Sequence, residues 1–250
     1  MRTLRLEDAS RSDPGLVRPA NEDSLAAMRQ AQVWVVADGM GGHDHGKLAS
    51  SMIVAALEKT HVPDDLGEAC DAVGDAIHEV NGAIFTQAQQ AGGRMGSTVV
   101  VLIVREREFA VLWVGDSRAY VLRADALHQL TRDHTQVQEM VDRGLLKDEE
   151  AVSHPMSHVL ARAVGAQSTL EIDGIRDEAL PGDIFLLCSD GLYNVLSSEE
   201  IASILAQSGK DSVEPLISAC IARGAPDNIS VIVVKASEPT KMVLARGLSA

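Results

Sequence analysis

A chain of 250 residues with 46% hydrophobic and 23% charged side chains has the length for a sizeable core and the balance of an ordinary globular protein. Its formal net charge of −14 argues against a surface that wraps nucleic acid, which needs clustered Lys and Arg, and against attraction to anionic membranes. No run is long enough to span a bilayer, the first residues lack a signal-peptide core, and Cys70, Cys188 and Cys220 are too scattered for a disulfide framework. The expectation is a monomeric cytoplasmic protein with no nucleic-acid partner and no membrane insertion.

In chain order, the pattern predicts a strand over residues 3–9 and then a polar, turn-rich segment over 10–23 that holds Arg18, Glu22 and Asp23. Val33-Trp34-Val35-Val36-Ala37 reads as a buried strand that stops abruptly at Asp38-Gly39-Met40-Gly41-Gly42. Helices are predicted over 45–60 and 64–90, the second with possible breaks at Gly74 or Gly82. Strands over 97–104, 108–114, 118–123 and 126–130 follow, with links short enough for antiparallel pairing. Residues 133–162 read as a broken helical insertion. Strands over 170–175 and 184–188, helices over 198–208 and 212–223, and a last strand over 229–234 complete the pattern. A single domain over 1–236 with a short tail over 237–250 is expected, with helices outside and sheets inside.

Four aspartates occupy equivalent places in this pattern. Asp38 ends one strand, Asp116 and Asp190 follow two others, and Asp227, with Asn228, precedes the last. Antiparallel pairing puts the end of one strand beside the start of the next, so all four can meet at one sheet edge. Two carboxylates about 4 Å apart at an effective dielectric near 20 repel by roughly 4 kcal/mol, and a divalent cation removes that conflict. One such aspartate alone is better read as a turn or cap residue. Four of them, three beside glycine, point to a metal site, and oxygen ligands without thiolate favour Mg²⁺ or Mn²⁺ over Zn²⁺.

Several motifs run in order along the chain: Arg18-Pro-Ala-Asn-Glu22-Asp23, Asp38-Gly-Met-Gly-Gly-His43, Gly96-Ser-Thr98, Val114-Gly-Asp116-Ser-Arg-Ala-Tyr120, Leu130-Thr-Arg-Asp-His134, Cys188-Ser-Asp190-Gly191 and Asp227-Asn-Ile-Ser-Val. Together they resemble the metal-dependent, type 2C (PPM) serine/threonine protein phosphatases, above all the compact bacterial ones, from about residue 12 to 234. The resemblance implies an α+β fold: a four-layer α-β-β-α sandwich, two mainly antiparallel sheets flanked by helix pairs, with a flap insertion at about 133–162. It implies two Mg²⁺ or Mn²⁺ ions, with Asp38 bridging them, the Gly39 carbonyl completing one and Asp190 and Asp227 holding the other. Asp116 with Asp190 resembles a third, weaker site. Glu22 and Asp23, with Asn228 beside them, would orient metal-bound waters around the ligands, and Arg18 would grip the substrate phosphate. The implied reaction is hydrolysis of phosphoserine and phosphothreonine by direct attack of a metal-bridging hydroxide, opposing a bacterial serine/threonine kinase.

Met40 stands where eukaryotic relatives carry a histidine and cannot donate a proton. His43, three residues on, has two readings: proton donor to the leaving group, or a hydrogen-bonded loop histidine. Gly41 to Lys47 also fits G-x-x-x-x-G-K, but Leu48 follows where a nucleotide-binding loop needs a hydroxyl. A cysteine phosphatase is excluded, since the positions six residues after the cysteines are Ala76, Asn194 and Pro226. A non-catalytic phosphoprotein-binding module would have lost metal ligands, and every acidic position stands.

Overall fold

The computed structural model describes residues 3–41, 45–91, 93, 95–151 and 154–239. In chain order the strands and helices are β1 (Arg5–Asp13), β2 (Ser24–Met28), β3 (Val33–Ala37), β4 (Gly39–Met40), α1 (His45–Lys59) and α2 (Leu66–Ala91). There follow β5 (Gly96–Ser97), β6 (Val99–Arg105), β7 (Glu108–Val114), β8 (Arg118–Arg123), β9 (Ala126–Gln129), α3 (Gln136–Asp142) and α4 (Asp148–Ala151). The chain continues through β10 (Asp173–Glu178), β11 (Ile184–Cys188), α5 (Asp190–Tyr193), α6 (Ser198–Ser208), α7 (Val213–Ala222) and β12 (Ile229–Ser237).

Two five-stranded sheets result, ordered β1-β12-β11-β8-β9 and β10-β7-β6-β3-β2, with every pairing antiparallel. Their central strands are apolar without interruption because both faces are covered, and the period of two then divides each strand between two cores. Val33, Val35, Val99, Val101 and Ile103 turn to one side and pack with Ile53 and Leu57 of α1 and Val73, Ile77 and Ile84 of α2. Their alternates Trp34, Val36, Val100, Leu102 and Val104 meet Phe185, Leu187, Ile232 and Val234 of the opposite sheet. Leu186, Cys188, Val231 and Val233 face outward onto Ile201, Leu205, Leu216, Ile217 and Cys220 of α6 and α7. Three apolar interfaces separate four layers, helix–sheet–sheet–helix, as the resemblance implies.

The element boundaries differ from the sequence pattern in several places. β1 runs to Asp13 because it pairs with β12 along its whole length, Arg5 opposite Ser237 and Asp13 opposite Ile229. An edge strand with a solvated face keeps polar residues, which hid the extent of β1, while β2 is only five residues long and rich in alanine, a weak strand former. α2 is unbroken through Gly74 and Gly82, where an added Cβ would meet nothing within 4 Å; its packed face holds it together despite two weak formers. β10 lies three residues later than predicted, in register with β7. Among the described residues no helix is long and apolar enough to cross a membrane.

Candidate active site

Register brings the aspartates together. Cys188, at the end of β11, lies opposite both Arg118 at the start of β8 and Val231 near the start of β12. Asp190, Asp116 and Asp227 therefore leave one edge of that sheet side by side. In the facing sheet β3 ends at the same level, with Val36 opposite Val100 and Val99 opposite Val114. Asp38 leaves it toward the other three.

Close backbone contacts fix each position. The Asp38 N–H donates to Thr98 Oγ1 at 3.0 Å, and its carbonyl accepts from Thr98 N at 2.8 Å and Ser97 Oγ at 2.8 Å. These bonds hold the main chain and leave the carboxylate to face the cleft. A Cβ on Gly39 would lie 2.1 Å from the Gly46 carbonyl oxygen and 2.7 Å from that of Glu22, so only glycine lets α1, the Glu22 segment and β4 come together here. Gly191 plays the same part beside Asp190, where a Cβ would lie 2.0 Å from the Asn228 carbonyl oxygen. Asn228 ties the entry loop to the site: its Nδ2 donates to Pro14 O at 2.9 Å and Ala20 O at 3.0 Å, and its Oδ1 accepts from Glu22 N at 2.8 Å.

The carboxylates act on one another. Asp38 is held well above the usual carboxylate range by burial first, and then by Asp23, Asp190, Asp116 and Asp227. Burial likewise pushes Asp116 up to about 8, with Asp190 and Asp133 adding to it. Asp190 is raised to about 6 by burial and then by Asp227, against the opposing pull of His158, a hydrogen bond with Asp38, and Arg18. Asp23 also rises to about 6 through burial, although Ser230 and Ser189 hydrogen bonds oppose this. Ser189 Oγ donates to Asp23 Oδ2 at 2.8 Å, while the buried Asp23 Oδ1 has no hydrogen-bond partner. A concentration of charge held back by desolvation, with an orphaned carboxylate oxygen inside it, suits hard divalent cations. Among the described residues no three of these groups are already closed around a common point as a finished chelate.

Arg18 meets this edge directly, with Nε donating to Asp227 Oδ1 at 2.8 Å and Nη2 to Asp227 Oδ2 at 2.6 Å. Lys47 turns away from the cleft, its Nζ donating to the Asp23 carbonyl at 2.6 Å and Ser24 Oγ at 3.2 Å, a structural post that answers the phosphate-loop reading. Arg18, Glu22, Asp23, Asp38, Gly39, Asp116, Asp190, Asp227 and Asn228 thus belong to one neighbourhood. His43 lies outside the described residues.

Several supporting residues carried no role in the sequence pattern. Arg118 forks onto Asp133 (Nε–Oδ1 2.9 Å, Nη2–Oδ2 2.7 Å) and lies 3.6 Å over the Tyr193 ring. The Tyr193 hydroxyl in turn donates to the Asp116 carbonyl at 2.9 Å. His134 Nδ1 accepts from the Gly115 N–H at 3.1 Å, and its Nε2 stands 3.3 Å from Asp173, so it ties the 133–162 segment to the strand end beside Asp116. His158 acts electrostatically on Asp190 from the same segment. Their signal lay inside the quoted motifs for Thr98, Arg118 and His134, whereas nothing local marked Tyr193 or His158.

Layered fold and edge site together define a class: an α+β sandwich carrying a cluster of carboxylates suited to divalent ions. The chain belongs to the protein phosphatase 2C family, whose model matches residues 18–228. It is 39% identical over 236 residues to the serine/threonine protein phosphatase PstP of Mycobacterium tuberculosis, an alignment covering 92% of this chain and 45% of PstP, so the chain spans about half the length of that relative. PppA of Pseudomonas aeruginosa, described as a key regulatory component of T6SS, has a similar structure with a TM-score of 0.86 at 39% identity, covering 92% of this chain and 97% of PppA. The catalytic domain of PstP in complex with 2 manganese ions matches with a TM-score of 0.84 at 36% identity, covering 94% of this chain and 100% of that one.

Proposed function

We propose that the protein is a metal-dependent serine/threonine protein phosphatase that hydrolyses phosphoserine and phosphothreonine in proteins. The observation that carries this reading is the convergence of Asp38, Asp116, Asp190 and Asp227 from both sheets, with burial and mutual repulsion raising Asp38, Asp116 and Asp190. Asp38, the Gly39 carbonyl, Asp190 and Asp227 would hold two Mg²⁺ or Mn²⁺ ions, and Asp116 with Asp190 a third. A bound ion pair supplies a nucleophile from water near neutral pH and neutralises charge on the phosphoryl oxygens. Arg18 binds and orients the phosphate with its planar fork, once Asp227 is engaged elsewhere. Asn228 and the Glu22-Asp23 pair keep the ligand-bearing backbone in place, and His43 is the proposed proton donor to the leaving oxygen.

The proposal extends to one phosphatase domain over 1–236, with the 133–162 segment as a flap and 237–250 as a tail. The partners are phosphoproteins and a cognate serine/threonine kinase, and the chain acts as a monomer in the cytoplasm. The three cysteines, all free and buried, suit a reducing compartment. The test is hydrolysis of p-nitrophenyl phosphate and a phosphothreonine peptide with and without Mn²⁺, alongside Mn²⁺ binding by calorimetry. Asp38→Ala and Asp190→Ala are expected to lose both tight Mn²⁺ binding and turnover. Full turnover in either variant would overturn the assignment.

A further inference from the structure

We infer that Leu16 and Val17 form an apolar shelf that selects phosphoproteins with an aliphatic side chain next to the phosphorylated serine or threonine; this rests on the phosphatase reading above. Both side chains point into solvent, 64% and 68% exposed, at adjacent positions in a turn immediately before Arg18. A single exposed aliphatic residue is ordinary, but two adjacent ones directly before Arg18 make a contact surface.

The turn is rigid, which a recognition surface needs. The Leu16 N–H donates to Ala225 O at 3.0 Å and the Gly15 N–H to Asp13 Oδ1 at 3.0 Å. Asn228 grips the carbonyls on both sides of the pair, Pro14 at 2.9 Å and Ala20 at 3.0 Å. Gly15, at φ +72°, sits so tightly that a Cβ would fall 2.3 Å from the Asp227 carbonyl oxygen. The shelf therefore keeps a fixed offset from Arg18 and Asp227, and little entropy is lost when a partner covers it.

Continuity with the phosphate site names the occupant. An extended peptide advances about 3.3 Å per residue, so a phosphate held by Arg18 leaves its immediate neighbours in reach of the two residues that precede Arg18. A polar neighbour gains nothing from Leu16 and Val17. An aliphatic neighbour covers both. Partial burial of such a side chain corresponds to a preference of about tenfold.

The test compares phosphothreonine peptides of equal net charge that carry Leu or Ser at the positions flanking the phosphothreonine, on either side. The Mn²⁺-loaded wild type and the double variant Leu16→Ser, Val17→Ser are assayed, each rate divided by the same protein's rate on p-nitrophenyl phosphate. The wild type is expected to favour a Leu peptide about tenfold, through KM, and the double variant to fall to within about twofold of parity. No preference in the wild type, or a preference that survives in the variant, overturns the shelf. Absence of any Mn²⁺-dependent turnover of p-nitrophenyl phosphate by the wild type is a different result, and it removes the phosphatase reading together with the shelf.

Discussion

Asp227 has two suitors in this site. Arg18 takes both of its oxygens, at 2.8 and 2.6 Å, yet the pair is largely open to solvent and so contributes little to stability. Under the proposed function its value lies in geometry, a planar fork kept beside the carboxylates where a phosphate would be held. Lys carries the same charge without the fork. Arg18→Ala is expected to raise KM for a phosphothreonine peptide by about tenfold or more, and Arg18→Lys to recover only a minor part of it. Steady-state kinetics on folded variants checks this, and full rescue by Lys would reduce Arg18 to a point charge. Gly191 makes a second residue-scale case. With the Asn228 carbonyl oxygen only 2.0 Å from where a Cβ would stand, Gly191→Ala must push β12 and α5 apart. A loss of about 1–3 kcal/mol in urea unfolding and weaker Mn²⁺ binding are the expected outcomes.

Among the elements, α2 offers the opposite sign at the same kind of residue. Gly74 and Gly82 lie within its 26 residues and face open space. Replacing either with Ala removes backbone freedom from the unfolded chain and adds no clash. Each variant is expected to gain about 0.5–1 kcal/mol in chemical denaturation. The segment over 133–162 is a different kind of element. Its ends are pinned by His134, by the bridge between Thr135 and Leu160 and by the bridge between Ser97 and Val164, while its middle carries few buried residues. Exchanging residues 136–158 for those of a relative is expected to change relative rates among phosphoproteins more than the rate on p-nitrophenyl phosphate. Equal losses on both would deny the segment a part in substrate choice.

For the whole molecule, the acidic edge sets how stability follows pH. Asp116, Asp190 and Asp23 bind protons more tightly when folded, at about 8, about 6 and about 6, than in the unfolded chain, where the usual value is 3.8. The folded state then holds more protons than the unfolded one from about pH 4 to about pH 8, and stability falls as pH rises through that window. Divalent ions replace those protons. Thermal melts without metal are therefore expected to show a lower Tm at pH 8 than at pH 5.5. Millimolar Mn²⁺ should raise Tm far more at pH 8, where it meets no proton competition. A metal-free Tm that climbs with pH across this range would mean that the carboxylates do not crowd one another.

Much of this was legible along the chain because its signals are local. The continuous apolar runs of β3, β6, β11 and β12 state that both faces of each sheet are covered, and Asp-Gly at strand ends marks where the backbone must turn against something close. The order of motifs carried the family, and with it the four layers. Edge strands were not legible: β1 takes its extent from pairing with β12 and carries polar side chains, and β2 is a short, alanine-rich run whose pairing with β3 no local pattern marks. Nor could periodicity foresee that Gly74 and Gly82 leave α2 intact, because packing on the sheet outweighs a local propensity of about 1 kcal/mol. By itself the sequence determined the chemistry of the proposed ligands, hard oxygen donors at strand termini. Only the tertiary structure decided that these termini share one edge, that Asn228 and Tyr193 brace it, and that Arg18 reaches it through Asp227. Those relations depend on register between strands far apart in the chain, and no local pattern encodes register.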